Sequence, residues 1–591
     1  MTRREWLAAV ASAYAAGQAG IPRDWRDISN GSVIPDEGYA DQPYVVHTAS
    51  GKWLCVITTG KGVEGEGGQH VVSTISADQG KTWSSPVNVE PADGPEASWA
   101  VPLVTPTGRV YVFYTYNRDN IRLVPNVSSP SIAKRVDTLG IWAFKYSDDH
   151  GQTWSTERFE IPLRPWDADA SNNFEGSQRF FWSVAKPLID RGTAYIGFAR
   201  ISKWGTPGVL VRSRGFAVSS SNILNEKDPN KIRWTMLPAN PEGFRAPKGP
   251  IAEETNITAL SDGTLYALYR TIDGYLCHAY SSDKGLTWTD AAYATYKPNG
   301  TRRLKHPRAF AFARRFSNGR YLLWFHNQGG ESVHARPRWD YYQDRNPGWV
   351  CGGVEQAGRI AWSEPEILLY DGKDPKTRIS YPDFIEDHGR IFITETQKSV
   401  ARVHEIDARF LTRLWAAPSN SIEREGLALE KRGTGSFAML AIGPRGFTLD
   451  FRFRLDELTP DQLLLEARDA TGKGLAVVTG DRFNLKLILN DGRREFTAES
   501  DYGTHPGTLR VNEIHHCAII LDGGPRIISF VIDGIFNDGG ATRQFGWSRW
   551  DSELALPDLN GDLQGRSEIQ EFRIYQRPLM TAEAVGNSRA R

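Results

Sequence analysis

The stretch SDDHGQTW at residues 147–154 has two near-copies in the chain, SADQGKTW at 76–83 and SSDKGLTW at 281–288. Each follows an alternating apolar run, GIWAFKYS, HVVSTIS and YLCHAYS respectively. An Asp side chain accepts nearby backbone N–H groups and a Gly admits a positive φ, so the shared segment reads as a tight turn after a strand. The Thr and Trp then return toward a core. The separations are too irregular for a short solenoid, so the segment is a structural corner inside a larger repeated unit and not itself a catalytic element.

The rest of the composition fits a β protein. At 591 residues the chain is long enough for two or three domains. Gly (56), Trp (19), Tyr (21) and Phe (26) are plentiful beside 4 Met, which suits many short strands joined by Gly-containing turns. Lys plus Arg and Asp plus Glu both count 70 with no long block of one sign, so no nucleic-acid or anionic-membrane footprint is expected. Cys55, Cys277, Cys351 and Cys517 lie far apart, outside any CxxC or Cys/His metal spacing, and read as buried free thiols or disulfides. No metal motif is present, and no catalytic cofactor is expected. The first 20 residues, MTRREWLAAVASAYAAGQAG, pair arginines with a short Ala-rich run and resemble a twin-arginine export signal; an amphipathic helix is the alternative. Export to the periplasm or beyond is therefore expected. No later segment is apolar for long enough to span a bilayer.

The three turn segments resemble the Asp-box of sialidases and related β-propellers. That resemblance implies an all-β fold, a six-bladed sialidase-like propeller over residues 21–418, and orders the other strand groups. Blade one runs from about Tyr39 to Trp83, and blade two holds VPLVTPTGRVYVFYTYN. Blade three holds FFWSVAKPLIDRGTAYIGFAR and closes near IRWTML; blade four is EETNITALSDGTLYALYR up to Trp288. Blade five is HPRAFAFARRFSNGRYLLWFHN, and blade six holds ISYPDFIEDHGRIFITETQ and the strand after it. Radial packing collects the starts of the innermost strands at one mouth, where functional residues are expected. From residue 419 the turn segment disappears and alternating strands such as GFTLDFRFRLDEL and HHCAIILDGGPRIISFVIDG read as a β-sandwich to residue 591, similar to laminin-G or concanavalin-like jelly rolls. This second unit reads equally as a sugar-binding module and as a structural prop.

The segment GPIAEETNITALSDGTLYALYR places Glu254 and Arg270 at opposite ends of a hairpin that returns both to the mouth. It resembles the sialidase region in which a glutamate is followed by a substrate-binding arginine. Glu253, next in the chain, is expected to face the other side of the strand and is the reserve. RISYPDF resembles the segment bearing the sialidase catalytic tyrosine, which transfers to Tyr381. A tyrosine nucleophile with a glutamate base avoids the repulsion a carboxylate nucleophile would meet at the acidic anomeric centre of a sialoside. In KHPRAF, Arg308 and His306 are further substrate-binding candidates, since a guanidinium fork matches a carboxylate. Sialidases open blade one with Arg-Ile-Pro, whereas this chain reads YADQPYVV, so Asp41 and Gln42 stand where the first clamp arginine is expected. The general acid is left open among Glu64, Glu66 and His70 in the loop TTGKGVEGEGGQH, with Asp93 and Glu96 behind them. Lys248, Asn256 and Asp383 complete the rim by nearness to the strand starts. The resemblance implies an exo-acting glycoside hydrolase that removes a terminal acidic sugar, sialic acid or a related one, from a glycan. A propeller polysaccharide lyase acting on uronates, through His306, Arg308 and Tyr381, is the second reading; a non-catalytic glycan-binding protein is the third.

Overall fold

A computed structural model describes residues 23–205, 211–337, 340–440, 444–554, 559–563 and 568–590 of the chain. The stretch read as an export signal lies outside the described residues. The described chain is all-β apart from short helices, built as a propeller-like series of antiparallel sheets followed by a sandwich-like pair. No helix among the described residues is long and apolar enough to cross a membrane.

Six antiparallel sheets of four or five strands follow one another along the chain, most strands pairing with a neighbour in sequence. The first is typical: Tyr39–His47, Trp53–Gly60, His70–Ser76 and Val87–Asn88 pair in order. The sixth departs from the sequence reading. Its strands Phe384–Asp387, Arg390–Thr396 and Ala401–Glu405 are joined at the edge by Ser32–Ile34, with Ser32 opposite Val403 and Ile34 opposite Ala401. The beginning and end of the series are thus tied by backbone hydrogen bonds, which removes an edge that would otherwise be open to pairing.

The repeated turns have the geometry expected of strand corners. In the second sheet Gly151 N–H donates to Ser147 Oγ at 2.7 Å, while the N–H and hydroxyl of Thr153 both donate to the Asp149 carboxylate at 2.9 and 2.6 Å. The same set recurs at Ser76, Asp78, Gly80 and Thr82, and at Ser281, Asp283, Gly285 and Thr287. Trp154 Nε1 donates to Ser73 Oγ at 3.0 Å in the preceding sheet, so the corner also sets sheet-to-sheet spacing.

The sandwich pairs a seven-stranded with a six-stranded sheet. Phe447, Leu449, Phe451, Phe453, Leu475, Val477, Leu485 and Leu487 from both sheets fill the space between them. The seven-stranded sheet is buried on its other face too: Ala518, Ile520, Val531, Phe536 and Tyr575 form one core with Trp349, Trp362 and Ile367 of the fifth sheet. Burying one such side chain stabilises by about 1.5–3 kcal/mol, so this contact fixes the sandwich against the propeller-like part. All four cysteines are free and buried.

Gly151 and Gly358 separate backbone strain from crowding. Both have positive φ, 88° and 70°, but a Cβ on Gly151 would stand 2.1 Å from Leu54 Cδ1 whereas one on Gly358 would meet nothing within 4 Å. Gly358→Ala should cost about 1–2 kcal/mol for the left-handed backbone. Gly151→Ala should cost about 1–3 kcal/mol more, from overpacking of the corner against the first sheet. Denaturant titration of the two variants measures the difference, and equal losses would count against the corner as a spacer.

Candidate active site

The innermost strands share a local feature that residue type does not announce. Gln42, Trp99 and Glu254 have φ of 57°, 63° and 55°, and each lies in a break of strand register, between Asp41 and Tyr44, Ser98 and Val101, and Glu253 and Asn256. Ala185 and Tyr381, at 73° and 41°, stand at the corresponding interruptions of the third and sixth sheets. A bulge breaks the two-residue alternation and re-aims side chains. Glu253 therefore does not face away from Glu254: both carboxylates reach Arg270. Its guanidinium lies 3.1 Å from Glu253 Oε1 and 2.7 Å from Glu254 Oε2.

Around this pair the side chains from distant sheets converge. Tyr381 donates its hydroxyl to Glu254 Oε1 at 3.0 Å, and Trp182 Nε1 donates to the same oxygen at 3.2 Å. The Tyr381 ring is stacked on Phe310 and edge-on to Trp99, with centroids 5.4 and 6.1 Å apart. Burial first, and Glu254 second, hold the phenol well above its usual pKa. Burial also raises Glu254, against Arg270, and Glu253 adds to the rise. Glu253 is held below the usual range: burial opposes this, but Arg308 and Arg270 prevail.

The cations divide into paired and unpaired. Arg308 Nε sits 2.5 Å from Glu253 Oε1, so its charge, like that of Arg270, is met by a carboxylate. Arg345, which the sequence reading did not single out, has no carboxylate partner among the described residues. It donates to Tyr342 O and to Ser380 Oγ, both at 2.8 Å, and burial followed by the neighbouring Arg378 pulls its pKa down to about 9. Arg378 makes no ion pair among the described residues; its Nε is buried without a partner and its guanidinium lies 5.2 Å from the Tyr342 ring centroid.

Opposite them stands an acidic group. Asp41 accepts from Lys398 Nζ and from Tyr39 Oη, the latter at 2.9 Å. Lys398 Nζ also lies 4.4 Å from the centroid of the Tyr381 ring. Glu64 is 3.2 Å from Arg135 and 3.7 Å from Lys398; burial would raise its pKa, but these cations, with Arg378 and Arg345 beyond them, bring it down to about 2. Asp137 accepts from Arg135 at 2.8 Å and from Trp99 Nε1 at 3.2 Å. Glu96 is buried with neither oxygen hydrogen-bonded, and burial, then Asp137, push it up to about 9.

The remaining sequence candidates are spread more widely. Gln42 is buried, its amide 3.5 Å from Ser183 O. His306 is buried and bound through Nε2 to Ala309 O at 2.8 Å, with burial bringing its pKa to about 3. Glu66 bonds Val63 N–H and pairs with Lys134, and His70 Nδ1 lies 3.4 Å from Gly68 O, with Nε2 3.5 Å from Glu37. Lys248 is largely exposed and paired with Glu331 at 3.2 Å. Asn256 and Asp383 line a different cavity of about 430 Å3, farther along the inner strands, with Lys186, Arg314 and Phe312. There Asn256 Oδ1 accepts from Ala313 N, and Asp383 accepts from Val45 N and Lys186 Nζ.

Residues 97–393 match the BNR repeat-like domain. No curated protein sequence matches the chain. Among solved structures, the chain is similar to Trypanosoma rangeli sialidase in complex with 2,3-difluorosialic acid, at 13% identity over 95% of both chains with a TM-score of 0.41. It is also similar to the intramolecular trans-sialidase of Ruminococcus gnavus, at 14% identity over 67% of this chain and 100% of the other with a TM-score of 0.44. A protein of unknown function from Dyadobacter fermentans is similar at 14% identity over 64% of this chain and 98% of the other, with a TM-score of 0.42. With its matched domain spanning half of the chain, the protein belongs to the BNR repeat-like family.

Proposed function

We propose that the protein is an exo-acting glycoside hydrolase that removes a terminal acidic sugar, sialic acid or a related one, from a glycan. The observation that carries this reading is the buried Tyr381–Glu254 hydrogen bond, set beside Arg345 and Arg378, which no carboxylate among the described residues matches. The charges of Glu253 and Glu254 are met by Arg270 and Arg308, so the excess at this side of the mouth is positive. An anionic sugar supplies the missing charge.

In this reading Tyr381 Oη bonds to the anomeric carbon as its proton passes to Glu254, whose raised proton affinity suits a base. The glycosidic C–O bond breaks, and the leaving oxygen takes a proton. Water then attacks the anomeric carbon and the tyrosyl-sugar bond breaks: the carboxylate left by the donor takes the proton of water, and Glu254 returns its proton to Tyr381 Oη. Glu64, held at about 2, is a poor proton donor at neutral pH; Glu96, at about 9, carries a proton and is the donor in this proposal. The lyase reading takes Tyr381 or His306 as the base for the C5 proton, and the His306 ring is buried with Nε2 engaged by Ala309 O, which leaves that reading Tyr381 alone.

Tyr381→Phe should abolish release of free sugar from sialylated or other acidic glycans, as read by mass spectrometry, while binding persists. From the unmutated chain, unsaturated products would move the protein to the lyases, and binding without any product would make it a lectin.

Arg345→Ala and Arg378→Ala should each lower kcat/KM on an acidic glycoside by about tenfold or more, since a hydrogen bond to a charged group contributes about 1.5–3 kcal/mol. On a neutral glycoside of the same leaving group they should change little. Equal losses on both would remove the anion-binding role.

A donor must hold its proton, so activity should be present below the raised pKa of Glu96 and fall as pH rises through about 9. Glu96→Gln should abolish that limb and cost alkyl glycosides far more than aryl glycosides with acidic leaving groups. Comparable losses on both kinds of substrate would exclude Glu96 as the donor.

A further inference from the structure

The sandwich reaches into the segment that carries Arg345. This segment links strand Tyr321–Phe325 to strand Gly348–Gln356, and its described regular structure is the short turn Glu331–Ala335. Ordering such a segment costs about 1–2 kcal/mol per residue of backbone entropy, so its conformation needs partners. Many of them come from residues 538–549 of the sandwich. Gly329 N–H donates to Gln544 O at 3.0 Å and Glu331 N–H to Ala541 O at 2.8 Å, while Trp547 Nε1 donates to Asn327 O at 3.2 Å. Lys305, in the stretch that leads to the first strand of the same sheet, donates to Asp538 O and Arg543 O at 2.5 and 2.6 Å.

Two of these contacts bracket Arg345 itself. Gln544 Nε2 donates to the Asp344 carboxylate at 3.0 Å and to Gln328 Oε1 at 3.0 Å, and Gln328 in turn donates to Gln343 O at 3.1 Å. On the other side, Arg549 Nη2 donates to Asn346 O at 2.7 Å. Arg549 is a costly choice for mere docking. Its Nη1 is buried without a partner, and burial, then the nearby Arg526, bring its pKa down to about 10. A hydrophobic side chain would dock the two sheets without that penalty.

We propose that Gln544 and Arg549 are positioning residues that hold Arg345 toward Tyr381 and Glu254, making the sandwich an integral part of substrate recognition at the mouth. The functional half of this statement rests on the hydrolase reading above. The structural half, that these two side chains fix residues 343–346, does not.

The test uses the full chain and two readouts. In the Gln544→Ala/Arg549→Ala double variant, amide hydrogen exchange in peptides covering 340–347 should quicken by about tenfold or more, because local opening loses its brace. KM for an acidic glycoside should rise by about tenfold while kcat stays within about threefold, and Arg549→Lys alone should keep part of the wild-type KM. Glu366→Gln is the control. Its carboxylate accepts from Thr581 and Ala582 N–H at 3.0 and 2.9 Å, so the change disturbs the same interface without touching 343–346. It should lower the melting temperature and leave both readouts alone. Unchanged exchange at 340–347 in the double variant, or the same changes in Glu366→Gln, would overturn the proposal. Should the double variant not fold, Gln544→Ala alone carries the exchange measurement. If the wild-type chain hydrolyses no glycan the hydrolase reading falls, and the exchange result still decides whether the sandwich positions Arg345.

Discussion

Two glutamates adjacent in the chain are buried side by side and share one guanidinium, and the arrangement of the mouth depends on that balance. Like charges about 4 Å apart repel by about 4 kcal/mol at an effective dielectric of about 20, so Glu253 and Glu254 cannot both be ionised there without a cation between them. Arg270 supplies it from the neighbouring strand, where it lies opposite Glu253. Arg308 then takes the second demand of Glu253, which leaves Glu254 free to accept from Tyr381 and Trp182. Removing one partner of such a group costs several kcal/mol because the other charge is left unmatched. The Tyr381–Glu254 contact is therefore held by charge balance as much as by the chain's geometry.

That balance requires the backbone to do something unfavourable. A non-glycine residue in the left-handed region costs on the order of 1–3 kcal/mol and persists where surrounding structure compensates. Here the cost falls on Gln42, Trp99, Ala185, Glu254 and Tyr381, which occupy corresponding breaks in five inner strands. The compensation is visible around Tyr381: two aromatic neighbours, one carboxylate acceptor and a lysine over the ring. Rigid sheets on either side, spaced by the repeated corners, keep these strands from relaxing to regular pairing.

What the sequence disclosed follows from the range of each interaction. The corners were legible because Ser, Asp, Gly and Thr satisfy one another within eight residues. The nearness of Glu254 and Arg270 was legible too, since one hairpin joins them. The bulge was not: nothing about a glutamate signals positive φ, so alternation wrongly sends Glu253 to the far face. Arg345 and Arg378 were missed because a loop carries no periodic pattern and their importance lies in a partner they lack. Lys398 reaches Asp41 across 357 positions, and Ser32–Ile34 joins the last sheet across a similar distance. Both join segments far apart in the chain and leave no trace in either local sequence.

The replacement of the expected first arginine by Asp41 changes the electrostatic plan of the mouth without emptying it of cations. Asp41 takes Lys398, and Glu64 takes Arg135 together with the same lysine, so this side is a closed set of ion pairs. The positive excess is moved to Arg378 and Arg345, the latter held in the segment that the sandwich contacts. An anion entering the mouth meets matched ion pairs on one flank and unmatched guanidiniums on the other, and that asymmetry orients it before any contact forms. If the chain acts as proposed, charge placement of this kind selects by direction: a sugar that carries its acid group beside the bond to be broken can set the acid against the guanidiniums and the bond against Tyr381, whereas one with the group remote must turn the bond away. In the proposed reading, the departure from the sialidase pattern narrows the ways an acidic sugar can approach Tyr381, and it does so with a lysine and an aspartate that a search for arginines would pass over.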